Sequence, residues 1–192
     1  MKYETYTLEE IKKRLPNTQV LKERKKWYKE QDHTRWVFLD KSNNQCIKLW
    51  NETYVRRDTV PRALENNFYD EKLIPAFCGL IYDKNKICRG YVMHQCKKIN
   101  IDRVTWGQVF EYVKLKTKQT GFFAYDFLPE HVMLYEKPGH KPQLSLIDLE
   151  GVYHILEYEE KLDDHINYLQ EKNIFMKNKA YEEYVLELLR TN

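Results

Sequence analysis

Glycine is scarce in this chain, with 6 in 192 residues, and none lies between Gln19 and Leu39. A glycine-rich ligand loop, which needs closely spaced backbone N–H groups with no side chains in the way, is thereby excluded from that stretch. The four cysteines, Cys46, Cys78, Cys88 and Cys96, show no C-x-x-C spacing. They sit in strand-like apolar surroundings, which predicts buried reduced thiols rather than zinc ligands or disulfides. No segment approaches the roughly 20 consecutive apolar residues of a membrane span, and Met1-Lys2-Tyr3-Glu4 begins no apolar leader. A cytoplasmic protein is the expectation. Charge of either sign is also nearly balanced, at +3 net, which argues against nucleic acid as the main partner.

There is ample material for a core. Hydrophobic residues make up 42% and aromatic residues 14%, so disorder is excluded and one sizeable domain, or two small lobes sharing a cleft, is expected. Thr7 and Glu10 form a capping box ahead of the apolar face Leu8, Ile11 and Leu15, and Pro16 stops that helix. Lys22, Arg24, Lys25, Lys26 and Lys29 then surround Trp27 and Tyr28. Aromatics among basic residues can stack on bases, but a solvated basic hairpin is the favoured reading. Residues 36–39 and 45–50 read as two strands around the turn Ser42-Asn43-Asn44.

Thr59 and Pro61 open a helix carried by Leu64, Phe68, Glu71 and Leu73 to Pro75. Two strands follow at 77–82 and 87–93, about the turn Asp83 to Lys86. Thr105 and Gln108 predict a second capping box, with Trp106, Val109, Phe110 and Val113 on one helical face ending near Gly121. The apolar residues 122–125 lead into Asp126. Residues 132–135 and 144–147 read as strands, and from Glu157 onward the apolar positions Leu162, Ile166, Leu169, Tyr184, Leu186 and Leu189 read as helices.

Two acids stand out by position. Asp126 follows an apolar segment and precedes a short loop, and Asp148 ends an apolar strand. A hairpin between them brings both carboxylates to one edge. Phosphoryl transfer uses such a pair, one acid to orient an attacking hydroxyl and one to hold the metal that bridges the phosphates. Taken singly, each aspartate reads better as a cap or turn residue.

Asp126-Phe127-Leu128-Pro129-Glu130-His131-Val132-Met133-Leu134 resembles the catalytic loop of protein kinases, D-L-K-P-E-N followed by apolar residues. Leu146-Ile147-Asp148-Leu149-Glu150-Gly151 resembles their metal-binding D-F-G segment. Ile47-Lys48-Leu49 resembles the strand lysine of V-A-I-K, and the next helix offers Glu65, ten positions before Pro75, as the lysine's partner, with Glu71 as its rival. Met93-His94-Gln95-Cys96 falls where the family has its interlobe hinge. The resemblance implies an α+β, kinase-like two-lobed fold, with an antiparallel-sheet N-lobe over 1–94 and a reduced helical C-lobe over 95–192. It implies ATP with magnesium or manganese as cofactor, Asp126, Lys48 and Glu65 as catalytic residues, Asp148 and His131 at the metal, and Lys48, Met93, His94 and Cys96 at the nucleotide.

The departures from the family pattern narrow the reading. Ala124-Tyr125 replaces His-Arg, Leu128 replaces the loop lysine, and His131 replaces the asparagine that holds a second metal. Asp126-Phe127, His131 and Ile147-Asp148-Leu149 are similar to the lipopolysaccharide core kinases, whose loops run D-F-Y-x-x-H before an apolar strand and I-D-L. No A-P-E signature is present, and 41 residues follow Gly151. A small molecule, sugar or lipid-linked glycan is therefore the expected acceptor, rather than a protein. The competing expectation is a pseudokinase, a nucleotide- or protein-binding module that keeps the fold without turnover.

Overall fold

The computed structural model describes residues 2–23, 34–50, 58–124, 129–155 and Glu187. Arg24 to Lys29, Asp126 and the apolar positions expected to form helices after Glu157 lie outside the described residues.

A short first strand, β1 (Glu4–Thr7), runs directly into helix α1 (Leu8–Arg14). The capping box is present as expected: the Thr7 hydroxyl accepts from Glu10 N–H at 3.2 Å, and Glu10 Oε2 accepts from Thr7 N–H at 2.7 Å. One 3-10 turn, Leu15–Asn17, carries Pro16 and ends the element. Strands β2 (Gln19–Glu23), β3 (Thr34–Asp40) and β4 (Gln45–Trp50) follow, then α2 (Thr59–Glu65), β5 (Phe77–Tyr82) and β6 (Cys88–His94). These six strands make one sheet in the order β1-β5-β6-β4-β3-β2. All neighbours are antiparallel except β1 and β5, which are parallel. The fold class is thus α+β with a mixed sheet. β1 and β2 had no sequence expectation, because four or five residues at a sheet edge carry too little alternation to register.

Alternation along β4 decides the two faces of the sheet. Ile47 and Leu49 point to one side, where Ile11 of α1 meets Phe38, Ile81 and Val92. Lys48 and Trp50 point to the other, where Trp50 joins Val60, Ala63 and Leu64 of α2 in a second and larger cluster. β6 can lie against β4 there because residue 90 is glycine. Gly90 has φ +151°, and a Cβ on it would come 2.0 Å from the Lys48 carbonyl oxygen. Any side chain would push the two strands apart at the very residue the site depends on.

Helix α2 stops ten residues short of Pro75, a correction to the sequence reading. Asn67 takes a left-handed conformation (φ 59°), and Phe68 and Tyr69 N–H groups both turn back to the Ala63 carbonyl. Asp70 Oδ1 then accepts from Leu73 N–H at 2.9 Å, holding a turn where a helix was expected. The break drives Phe68 and Tyr69 fully into the core.

Helix α3 (Arg103–Thr120) is capped by Asp102, not Thr105, which is the second correction. Asp102 Oδ1 accepts from Val104 and Thr105 N–H, each at 2.9 Å, and the Thr105 hydroxyl itself donates to Asp102. An ionised carboxylate is the stronger cap, so threonine becomes its supporting donor. At the other end Gly121 (φ 71°) closes the helix in the left-handed conformation. Strand β7 (Phe122–Ala124) then pairs with β10 (Val152–His154), and β8 (Val132–Tyr135) with β9 (Gln143–Leu146). The larger apolar cluster runs without interruption from Trp50 and α2 through Val113 of α3 to Leu149 and Ile155. Among the described residues, no helix is long and apolar enough to cross a membrane.

Candidate functional site

Lys48 and Asp148 are 100 positions apart in sequence and meet in space. Lys48 Nζ lies 3.2 Å from Asp148 Oδ1 and donates to the Ile147 carbonyl at 3.0 Å. The topology explains the meeting. Lys48 projects from the inner face of central strand β4, and the loop from Ile147 to Gly151, between β9 and β10, passes beneath it. That loop is fastened to the rest of the core by main-chain bonds. Leu146 N–H donates to the Leu73 carbonyl, and Ile147 N–H to the His131 carbonyl, both at 2.9 Å. The Tyr69 hydroxyl donates to the Leu149 carbonyl at 3.0 Å.

The charges are unevenly exposed. Side-chain exposure is 14% for Lys48, 35% for Asp148 and 3% for Glu150. Burial works against the Lys48 ammonium, but Glu150 and Asp148 outweigh it and raise its pKa above the ordinary lysine value. Burial works against the Asp148 carboxylate as well. The Lys48 ammonium is the largest influence opposing that burial, and with nearby His131 it holds Asp148 well below the usual carboxylate range. Both groups are therefore charged at neutral pH.

Tyr91 closes the back of the site. It is fully buried on β6, in register with Lys48. Its hydroxyl lies 2.8 Å from Glu150 Oε2 and 3.0 Å from the Ile147 carbonyl, and it accepts from Leu149 N–H at 3.2 Å. Burial, with the acids Glu150 and Asp148, pushes the phenol far above its ordinary pKa, so it stays a donor.

His131 ends the 3-10 turn Pro129–His131, with Nε2 3.8 Å from Asp148 Oδ2. That spacing exceeds a hydrogen bond. Magnesium prefers oxygen ligands, so Asp148 fits a magnesium ion better than His131 does. Among the described residues, no group of three His, Cys, Asp or Glu side chains is arranged to hold a metal. A metal here would complete its shell with ligand oxygens and water.

Glu65 does not join Lys48. It is exposed at the last turn of α2, and its charge acts on Tyr3 and Tyr82. No ion pair links it to Lys48 among the described residues. The break at Asn66-Asn67 ends the helix there, and Glu150 occupies the position beside the lysine instead. Glu71 is also exposed, in the turn after α2.

Met93, His94 and Cys96, expected at the nucleotide, follow Tyr91 at the end of β6 and just beyond it. Met93 is buried, paired with Cys46 and Phe77. His94 N–H donates to the Ala76 carbonyl at 2.7 Å, and its ring stacks on Tyr135 at 5.3 Å. Burial first, then Lys137, lowers its pKa, so it is neutral at pH 7. The Cys96 thiol sits 3.6 Å from the His94 carbonyl, and burial pushes it up to about 12. Of the four cysteines only Cys88 is fully buried, which corrects the expectation for the other three.

Asp126 lies outside the described residues. The described residues on either side of it are Ala124, which pairs with Val152, and the turn Pro129–His131, which leads to the imidazole beside Asp148.

The expected convergence of Lys48 and Asp148 is observed, while sequence reasoning gave no role to Glu150 or Tyr91. Glu150 stood inside the D-F-G-like segment without a role. The available signal was an acid set between Leu149 and Gly151 in an otherwise apolar stretch. Tyr91 carried no signal beyond strand alternation. Compared with known proteins, the chain matches no protein-family model, and no curated protein is detectably similar to it.

Proposed function

We propose that the chain is an ATP-dependent phosphotransferase of kinase-like, two-lobed design, acting on a hydroxyl of a small molecule, sugar or glycolipid. The observation that carries this reading is the convergence of Lys48 and Asp148 at 3.2 Å. Its setting adds support. Within the sheet, β2, β3, β4, β6 and β5 are successive antiparallel neighbours, in keeping with the antiparallel-sheet N-lobe that the resemblance implies.

The roles follow from charge and position. Lys48 binds the phosphates of the nucleotide, and Asp148 faces the divalent ion that neutralises them. Asp126 orients the acceptor hydroxyl and takes its proton as the phosphoryl group transfers. Met93, His94 and Cys96 border the base. Bound ATP and magnesium supply the phosphoryl group and the charge neutralisation, so the protein's part is mainly positioning and electrostatics.

One observation favours the pseudokinase reading: the sequence between Gln19 and Leu39 has no glycine, so backbone amides cannot crowd onto phosphates there. A thermal-shift and turnover experiment separates the two. The enzyme reading expects ATP with magnesium to stabilise the protein and Asp148→Ala to abolish that response. It also expects Asp126→Ala to lower turnover by on the order of 100-fold or more while leaving binding intact. Binding without turnover over a panel of hydroxyl acceptors leaves the pseudokinase. No nucleotide binding at all rejects the enzyme reading and leaves only a protein-binding module.

A further inference from the structure

A buried carboxylate is stable only with donors and a cation around it. Glu150 has both. One of its oxygens, Oε2, accepts from the Tyr91 hydroxyl at 2.8 Å and from Leu149 N–H at 3.1 Å, and it lies 3.7 Å from Lys48 Nζ. Tyr91 is fixed in turn, fully buried and aligned across the sheet with Lys48. The Lys48 ammonium also sits 5.4 Å from the centre of the Tyr91 ring. Lysine, tyrosine and glutamate therefore form one connected unit behind Asp148.

We propose that Glu150, held by Tyr91, is the positioning residue for Lys48, in the place that the sequence resemblance gave to Glu65. The consequence for catalysis rests on the phosphotransferase reading, but the pairing itself does not. A lysine held from a helix depends on where that helix sits. Here the positioning acid comes from the same short loop as Asp148, two residues further on. Lys48 and Asp148 are thus set by a single segment, itself tied down by Tyr69, Leu73 and His131. Movement of α2 does not uncouple them.

The test reads the Lys48 ammonium directly, by side-chain 15N NMR of the full chain, with its signal assigned by loss in Lys48→Arg. Glu150→Gln keeps the shape and removes the charge. It is expected to lower the Lys48 titration midpoint by at least about one pH unit, a tenfold change in proton affinity. Glu65→Gln is expected to leave the midpoint where it was. An unmoved midpoint in Glu150→Gln, or an equal shift in Glu65→Gln, overturns the proposal. Should Glu150→Gln fail to fold, the double variant Lys48→Met/Glu150→Gln decides. Recovered folding supports the pairing, because both partners leave together, and continued failure overturns it. In the folded Glu150→Gln protein, the ATP dissociation constant is expected to rise about tenfold, the affinity equivalent of one decade. If the wild-type chain binds no ATP, the phosphotransferase reading fails, while the Lys48 titration still decides the role of Glu150.

Discussion

Two lysine–carboxylate–tyrosine clusters among the described residues are built differently. In one, Asp70 receives the Lys116 ammonium at 3.1 Å and the Tyr112 hydroxyl at 2.6 Å, along with the N–H groups of Lys72 and Leu73. A single carboxylate there serves four donors. In the other, the one ammonium of Lys48 faces two carboxylates and a main-chain carbonyl. The first cluster is saturated and joins α3 to the turn after α2. The second has an excess of acid, and its outer acid, Asp148, keeps 35% of its side chain exposed. An acid surplus at an accessible edge leaves room for a further cation, whereas a saturated carboxylate is a fastening.

The largest expected effect comes from removing each lysine. Lys48→Met leaves buried Glu150 without its cation, which typically costs about 3–5 kcal/mol. Lys116→Met removes one of four donors from Asp70, and the tyrosine and two amides remain. Urea denaturation is expected to show the smaller loss for Lys116→Met, with any response to ATP and magnesium intact. Equal losses in both variants, or a lost nucleotide response in Lys116→Met, would erase the distinction between site and fastening.

This contrast also marks what was legible in the sequence. Lys48 could be found because a charged residue inside an apolar strand breaks its pattern, and Asp148 because it ends one. Their meeting was legible because two hairpins and two helices lay between them in recognisable order. The Lys116–Asp70 fastening was not. Both residues fall on segments whose polar faces look solvated, and only the turn at Asn67 carries Asp70 under α3. The same turn leaves Glu65 exposed at the end of α2 rather than paired with Lys48. Helical periodicity ran on through Phe68 and Leu73, so the pattern favoured a longer helix. What ended it was a left-handed asparagine and a side chain capturing amides, both local events that compete with periodicity. The pairing of β7 with β10 was equally hidden, because three-residue strands about 30 positions apart have no turn between them to announce the pairing.

A weaker effect sharpens the comparison through pH. Burial works against the Asp70 carboxylate, but the Tyr112 hydroxyl, Leu73 N–H and Lys116 outweigh it and lower its pKa. A carboxyl lowered on folding stabilises the folded state above its unfolded value, about 3.9. That contribution disappears as pH falls through the folded value. Stability measured by urea midpoint is therefore expected to decline below about pH 4. Asp70→Asn lowers stability at neutral pH and flattens that acid decline. An undiminished acid slope in Asp70→Asn would mean that Asp70 is not held as the hydrogen bonds indicate.

The smallest effect isolates the two phenols. Tyr112→Phe deletes one hydrogen bond to a carboxylate that keeps three other donors, so a loss of about 1 kcal/mol is expected. Tyr91→Phe removes more for the same missing oxygen. That hydroxyl lies within bonding distance of Glu150 and the Ile147 carbonyl and accepts from Leu149 N–H. Glu150 loses a donor, but Leu149 N–H still has Glu150 Oε2 at 3.1 Å. The difference between the variants thus measures how firmly the phenol fixes Glu150, rather than how many bonds are lost. Melting curves should place Tyr91→Phe below Tyr112→Phe, and only Tyr91→Phe should alter the Lys48 titration. A Lys48 midpoint unmoved by Tyr91→Phe would mean that the Leu149 amide alone holds the glutamate in place.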